Sequence, residues 1–133
     1  MLQTFETKDV LIKRPVEMVY LSFSDMEQLM ERLPQEYREK VRVNGDSIEG
    51  EYNGMSLGLS IVEKHPNSKL VLKPTGDFPL DFSLIFDFES APEYSTNLKI
   101  SLQTQMSWVE RALVGGKIQQ MLDKISESLS AKL

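Results

Sequence analysis

The chain contains one histidine, His65, in the run His65-Pro66-Asn67-Ser68. An imidazole titrates near neutral pH and can shuttle protons or ligate a metal. Strand parity directs His65 inward, while the Pro-Asn turn beside it favours a solvated ring. Cysteine is absent, which excludes disulfides, thiolate nucleophiles and cysteine metal sites. No second strong ligand lies at a useful spacing from His65, so neither a metal site nor a cofactor is expected. Asp81, Asp87 and Glu89 fall on the polar side of an alternating stretch and read as a solubilising row rather than a cation site. The stretch from Gly54 to Gly58 lacks the lysine of a phosphate-binding loop.

Two hydroxyls, Tyr52 and Thr104, fall among residues whose alternation points them to the apolar side of their strands. They either orient a ligand's polar group or sit in the core with their hydroxyls satisfied by backbone. The other inward positions are apolar, and no carboxylate is expected among them. With no nucleophile, acid or base converging, the sequence points to binding without bond chemistry, and no catalytic residue is expected.

The elements that would hold these residues follow from periodicity. Residues 3–13 read as a strand, with Val10 and Ile12 on one face. Pro15 suits the first position of a helix, and Val16, Val19, Tyr20 and Phe23 follow at helical spacing. Ser24 or Asp25 can cap a second helix. Its stripe is Met26, Leu29, Met30 and Leu33, and Pro34 ends it. From Val41 the period becomes twofold. Asn44-Gly45-Asp46, Asn53-Gly54, His65-Pro66-Asn67-Ser68 and Ala91-Pro92-Glu93 are turns between strands. Leu70 to Lys73 is expected to be a short strand broken by Pro74-Thr75-Gly76-Asp77. Phe78, Leu80, Phe82, Leu84, Phe86 and Phe88 then line one side of a long strand, and Leu98 to Met106 alternate in the last. Hairpin links with one apolar face predict an antiparallel sheet.

Ser107-Trp108-Val109-Glu110 is a capping box opening a long helix. Ile118, Met121, Leu122, Ile125 and Leu129 form its stripe, whose burial is worth roughly 1.5–3 kcal/mol per residue. Gly115-Gly116 predicts a kink or break, since each glycine costs about 1 kcal/mol in a helix interior. The pair is read either as a hinge for ligand entry or as a simple break or close contact with the sheet. Trp108 lines a pocket entrance or staples the helix start.

The 133 residues fit one domain, 1–133, with no repeat or linker. A net charge of −5 disfavours nucleic acid and anionic membrane surfaces. The start Met1-Leu2-Gln3-Thr4-Phe5-Glu6 lacks the features of a signal peptide, and no apolar run is long enough to span a bilayer. A cytoplasmic location is expected, with no stable membrane insertion.

This order of elements resembles the START-like (SRPBCC) superfamily, which includes the Bet v 1-like allergens and polyketide cyclases. The resemblance rests on Val10-x-Ile12-x-x-Pro15-x-x-x-Val19-Tyr20, Ser24-Asp25-x-x-x-Leu29, the hairpins and the final helix. Leu33-Pro34, Asp46-x-Ile48-x-Gly50 and Gly115-Gly116-Lys117-Ile118 are most similar to the carbon monoxide dehydrogenase G-subunit-like group, although Pro34-Gln35 replaces its Pro-Gly step. The resemblance implies an α+β helix-grip fold: a curved antiparallel sheet of about seven strands around the long C-terminal helix, with two short helices after the first strand. The resemblance does not fix one function, since members bind lipids, hormones or polyketides and a few catalyse; together with the apolar inner face it points to binding of a hydrophobic or amphipathic, lipid-like small molecule. The expected pocket takes Ile48, Tyr52, Leu57, Leu59, Phe82, Leu84, Phe86, Leu102, Thr104 and Met106 from the sheet, and Met121 and Ile125 from the helix. Its entrance or hinge is at Trp108, Gly115 and Gly116. The alternatives are an accessory or interaction subunit of an oxidoreductase-type complex and a cyclase- or hydrolase-type enzyme. A protein partner or a homodimer is also compatible with the sequence.

Overall fold

The computed structural model describes residues 1–32, 35–78 and 80–131, without the side chains of Tyr37, Tyr52, Leu129, Ser130 and Ala131. The elements run β1 (Leu2–Glu6), β2 (Val10–Ile12), α1 (Val16–Ser24), α2 (Met26–Arg32), α3 (Gln35–Arg38), β3 (Val41–Asn44), β4 (Ser47–Tyr52), β5 (Met55–His65), β6 (Lys69–Gly76), β7 (Phe82–Ala91), β8 (Ser95–Gln105) and α4 (Trp108–Ala131). The eight strands form one antiparallel sheet in the order β1-β8-β7-β6-β5-β4-β3, with β2 also paired to β8. This is the α+β helix-grip arrangement that the resemblance implied.

Several boundaries differ from expectation. The first strand divides into β1 and β2, which both pair with β8 on either side of Thr7-Lys8-Asp9. The strand β6 continues through Pro74 instead of stopping at Lys73. Its pairing with β7 covers only Lys69–Leu72. Beyond Leu72 one edge of β6 is unbonded to β7, and a proline is tolerated on such an edge. Conversely, β7 begins at Phe82, so Phe78, Leu80 and Asp81 precede the strand in a bend. A bulge between Ile61 and Glu63 reverses the parity of β5, and His65 pairs with Lys69. Lys69 in turn lies opposite Asp87 on the outer face. Strand parity from Ile61 had placed His65 inward; the bulge turns it outward. The predicted end of the second helix at Leu33-Pro34 lies outside the described residues.

Turn chemistry sets the hairpins. Asn53 and Gly54 both take positive φ, 51° and 77°, the mirror-image turn that suits a two-residue hairpin loop. Asn67 is likewise left-handed, and the Ser68 N–H donates to the His65 carbonyl at 3.0 Å. Asp25 caps α2, its Oδ1 accepting the Glu27 N–H at 3.0 Å. At α4 the capping box closes in both directions: Ser107 N–H donates to Glu110 Oε1 at 3.0 Å, and Glu110 N–H to Ser107 Oγ at 3.1 Å. The Ser107 contacts hold the Glu110 carboxyl below its usual range, with the backbone N–H the larger cause.

The core lies on the concave face. Phe23 of α1 is fully buried and meets Phe86 and Phe88 edge-on, with ring centroids 5.8 and 5.7 Å apart. Tyr20 adds an edge contact to Phe88 at 5.7 Å. Leu70, Leu98, Ile100 and Leu122 complete this cluster at 1% exposure or less. The helix α4 packs against β1, β2, β8 and α2. It runs unbroken through Gly115-Gly116, so the predicted break is absent. Gly115 is buried, and a Cβ there would stand 3.2 Å from Arg111 Cγ and 3.4 Å from the Phe5 ring. The glycine lets the helix backbone settle onto Phe5, while Gly116 faces open space.

Candidate functional site

A partly open cavity of about 590 Å³ lies over the β3–β5 half of the sheet. Its apolar lining comes from Val41 of β3, Ile48 of β4, Leu57 and Leu59 of β5, Phe78 in the bend before β7, and Met121 of α4. Cross-strand pairing explains the convergence. Val41 stands opposite Gly50, Gly50 opposite Leu57, and Ile48 opposite Leu59, so all share one face. Gly50 itself borders the cavity. A Cβ there would come within 2.5 Å of the Lys40 carbonyl oxygen, so only glycine lets the link from α3 close onto β4.

Charged residues border the same space: Glu36, Lys40, Glu49 and Glu51. Glu49 and Glu51 alternate with Ile48 and Gly50 on β4, off the inward positions that strand alternation picks out. Glu36 belongs to α3, whose place over the sheet strand alternation does not reveal. Glu36 pairs with Lys124 of α4. Glu49 pairs with Arg42 at 3.6 Å. Both pairs are exposed, which makes them weak ties rather than a buried charge relay. The described residues include no group of three or more histidine or acidic side chains placed to hold a metal.

The residues proposed from sequence as one pocket separate into two groups. Ile48, Leu57, Leu59 and Met121 border the cavity. Leu84, Phe86, Leu102, Thr104 and Met106 are buried in the packed core instead, while Phe82 and Ile125 are half-buried and packed against it. Tyr52 occupies the end of β4, but its side chain lies outside the described residues. Thr104 Oγ1 donates to the Asp81 carbonyl at 2.6 Å, so backbone satisfies it, as the core reading anticipated. Trp108 is 65% exposed and does not line the cavity. Gly115 and Gly116 lie away from the cavity lining.

His65 is exposed and contacts Glu63 Oε1 at 3.1 Å, in keeping with a solvated turn. Asp87 stands between Lys69 and Lys99 across the neighbouring strands, while Asp81 precedes the strand; the acidic row is thus shorter than alternation suggested. Glu36, Lys40, Val41, Gly50 and Phe78 border the cavity but were not among the pocket residues expected from the sequence. Val41 and Gly50 were accessible through the turn at Gly45, which makes them cross-strand partners.

No helix among the described residues is long and apolar enough to cross a membrane. No family model matches the chain, and no curated protein matches it in sequence. Solved structures do resemble it. The Mll3558 protein of Rhizobium loti superposes with a TM-score of 0.69 at 15% identity, covering 100% of this chain and 98% of the other. The Aha1 dimer of Colwellia psychrerythraea gives 0.59 at 14% identity, with 96% of each chain covered. DynU16, from the dynemicin biosynthetic locus, gives 0.62 at 12% identity over 97% of this chain and 48% of that one. At these identities the likeness is one of fold. The chain shares the α+β helix-grip fold with these proteins.

Proposed function

We propose that the protein binds a hydrophobic or amphipathic small molecule in the cavity beneath α4, over β3–β5, and performs no bond chemistry there. The observation that carries this reading is the cavity itself. Its volume of about 590 Å³ falls within the range of about 300–1,000 Å³ typical of small-molecule sites. Its floor is aliphatic and aromatic, and its charges lie with glutamates and a lysine near solvent. Such a site gains affinity by removing an apolar tail from water, at roughly 25 cal/mol per Å² buried, while a polar head remains near Glu36, Lys40 and Glu51. Met121 supplies an unbranched, adaptable wall. The fold neighbours, one of them from a biosynthetic locus, support a small-molecule-binding domain without naming the ligand.

Native mass spectrometry of the purified protein tests the proposal, followed by titration with a medium-chain fatty acid as probe. A lipid-like mass retained on the folded protein, or saturable probe binding that Leu57→Trp weakens, is expected. A protein that carries no added mass and binds no apolar probe overturns it.

A homodimer is a second feature of the reading, since the Colwellia psychrerythraea neighbour is described as a dimer.

A further inference from the structure

The edge of the sheet at β1 is open in a specific pattern. Met106 N–H donates to the Met1 carbonyl at 3.0 Å, and Thr7 N–H to the Ile100 carbonyl at 2.9 Å. Odd-numbered residues of this strand therefore bond to β8, and Leu2, Thr4 and Glu6 turn their N–H and C=O groups to the free edge. One of these groups is taken: the Glu6 carbonyl accepts Gln119 Nε2 of α4 at 2.9 Å. The Leu2 and Thr4 groups find no bond among the described residues. The strand Leu2-Gln3-Thr4-Phe5-Glu6 also lacks the proline, lysine or bulge that protects edges from pairing.

An apolar helix flank adjoins this edge. Gln119 reaches β1, so its side of α4 faces the edge. Trp108 lies eleven residues earlier, about three turns of 3.6 residues, on the same side. Ala112 and Gly116 fall between them on that flank, with Val109 and Leu113 next around the helix. Trp108 is 65%, Val109 68% and Leu113 75% exposed, and at the strand Met1 is 68% and Leu2 52% exposed. Ala112 and Gly116 are small, and a Cβ on Gly116 would meet nothing within 4 Å, so another helix can approach closely.

We propose that this surface pairs with a second copy of the chain. Two β1 strands join antiparallel across a twofold axis perpendicular to the sheet. Leu2 of each copy bonds Thr4 of the other, and Gln3 lies at the axis. This register uses the N–H and C=O groups of Leu2 and Thr4 and leaves the Glu6 carbonyl to Gln119. The axis also keeps both α4 helices on the same side of the joined sheet, where their Trp108 flanks meet. Such a contact is self-complementary, as a twofold interface must be. Stable dimers bury about 800 Å² on each partner. Five large apolar side chains, each more than half exposed, together with the strand edge offer surface of that order.

Sedimentation velocity over a wide concentration range tests this, with the cavity left intact. The intact chain is expected to self-associate into dimers. Thr4→Pro removes a free-edge N–H without touching the ladder to β8, and Trp108→Glu places a charge at the flank. Each should weaken the dimer at least about tenfold, whereas Thr4→Ala should leave it intact. Hydrogen exchange of the Leu2 and Thr4 amides in the unaltered chain gives an independent reading, with protection expected to rise with concentration. A monomer at all concentrations, or a dimer indifferent to Trp108→Glu with Leu2 and Thr4 amides unprotected, overturns the proposal.

Discussion

The two halves of the concave face are built from the same alternation of apolar residues, yet one is filled and the other is not. Over β7 and β8, α1 inserts Phe23 between Phe86 and Phe88, and α4 presses Leu122 into the core at 1% exposure. Over β3–β5 the face is lined by Ile48, Leu57 and Leu59 but opens on a cavity of about 590 Å³. The difference does not lie in how apolar the strands are. It lies in which helix side chains are aimed at them. The helix α4 settles toward β1, β2 and β8, where Gly115 allows close approach to Phe5. On the other side, among the described residues of α4, only the half-exposed Met121 reaches the cavity. Close packing stabilises the first region, and unfilled space leaves room for a ligand in the second.

Substitutions in the two halves should therefore behave differently. The largest effect is expected from Phe86→Ala, which empties a site at 2% exposure and should cost about 3–5 kcal/mol in chemical denaturation. Ser107→Ala breaks the cap that starts α4 at the filled end and should cost about 1 kcal/mol. The Glu110 half of that box depends on pH, because its carboxyl is held below the usual range by Ser107. Its contribution is fully present above the unfolded pKa and is lost as pH falls through the lowered folded value. In a pH series of melting curves, wild-type and Glu110→Gln proteins should therefore converge in strongly acidic solution. Leu57→Ala enlarges a cavity that is already open and should cost only about 1 kcal/mol, while weakening apolar-probe binding. A cost as large as that of Phe86→Ala would abolish the distinction between the halves. The smallest effect is a gain: Gly116→Ala should stabilise by about 0.4–1 kcal/mol, because a Cβ there meets nothing. Gly115→Ala should lose that gain, because its Cβ presses on Arg111 and Phe5.

Much of this architecture was legible locally. The hairpin turns at Asn53-Gly54 and Asn67, the Ser107–Glu110 box and the alternation of Leu84, Phe86 and Phe88 depend on neighbours in sequence or across one turn. The site was legible only in part. Ile48, Leu57, Leu59 and Met121 were read as pocket residues from alternation and helical spacing. Leu84, Leu102 and Thr104 follow the same rule but face helices that fill the space. Parity cannot register where α4 comes to rest, which is fixed by contacts far apart in sequence such as Gly115 with Phe5 and Gln119 with Glu6. Nor can it register a bulge, which is why His65 faces outward. Glu36 and Lys40 border the cavity through the fold-back of α3 onto Gly50, a tertiary approach seen in sequence only as a glycine in a strand.

Ligand binding over β3–β5 is tested most directly by methyl-detected NMR with a medium-chain fatty acid as probe. Saturable shifts are predicted at Val41, Ile48, Leu57, Leu59 and Met121, with Leu84, Leu102 and Leu122 nearly unmoved. Shifts centred on Leu84 and Leu102, or none at any of these methyls, would contradict it.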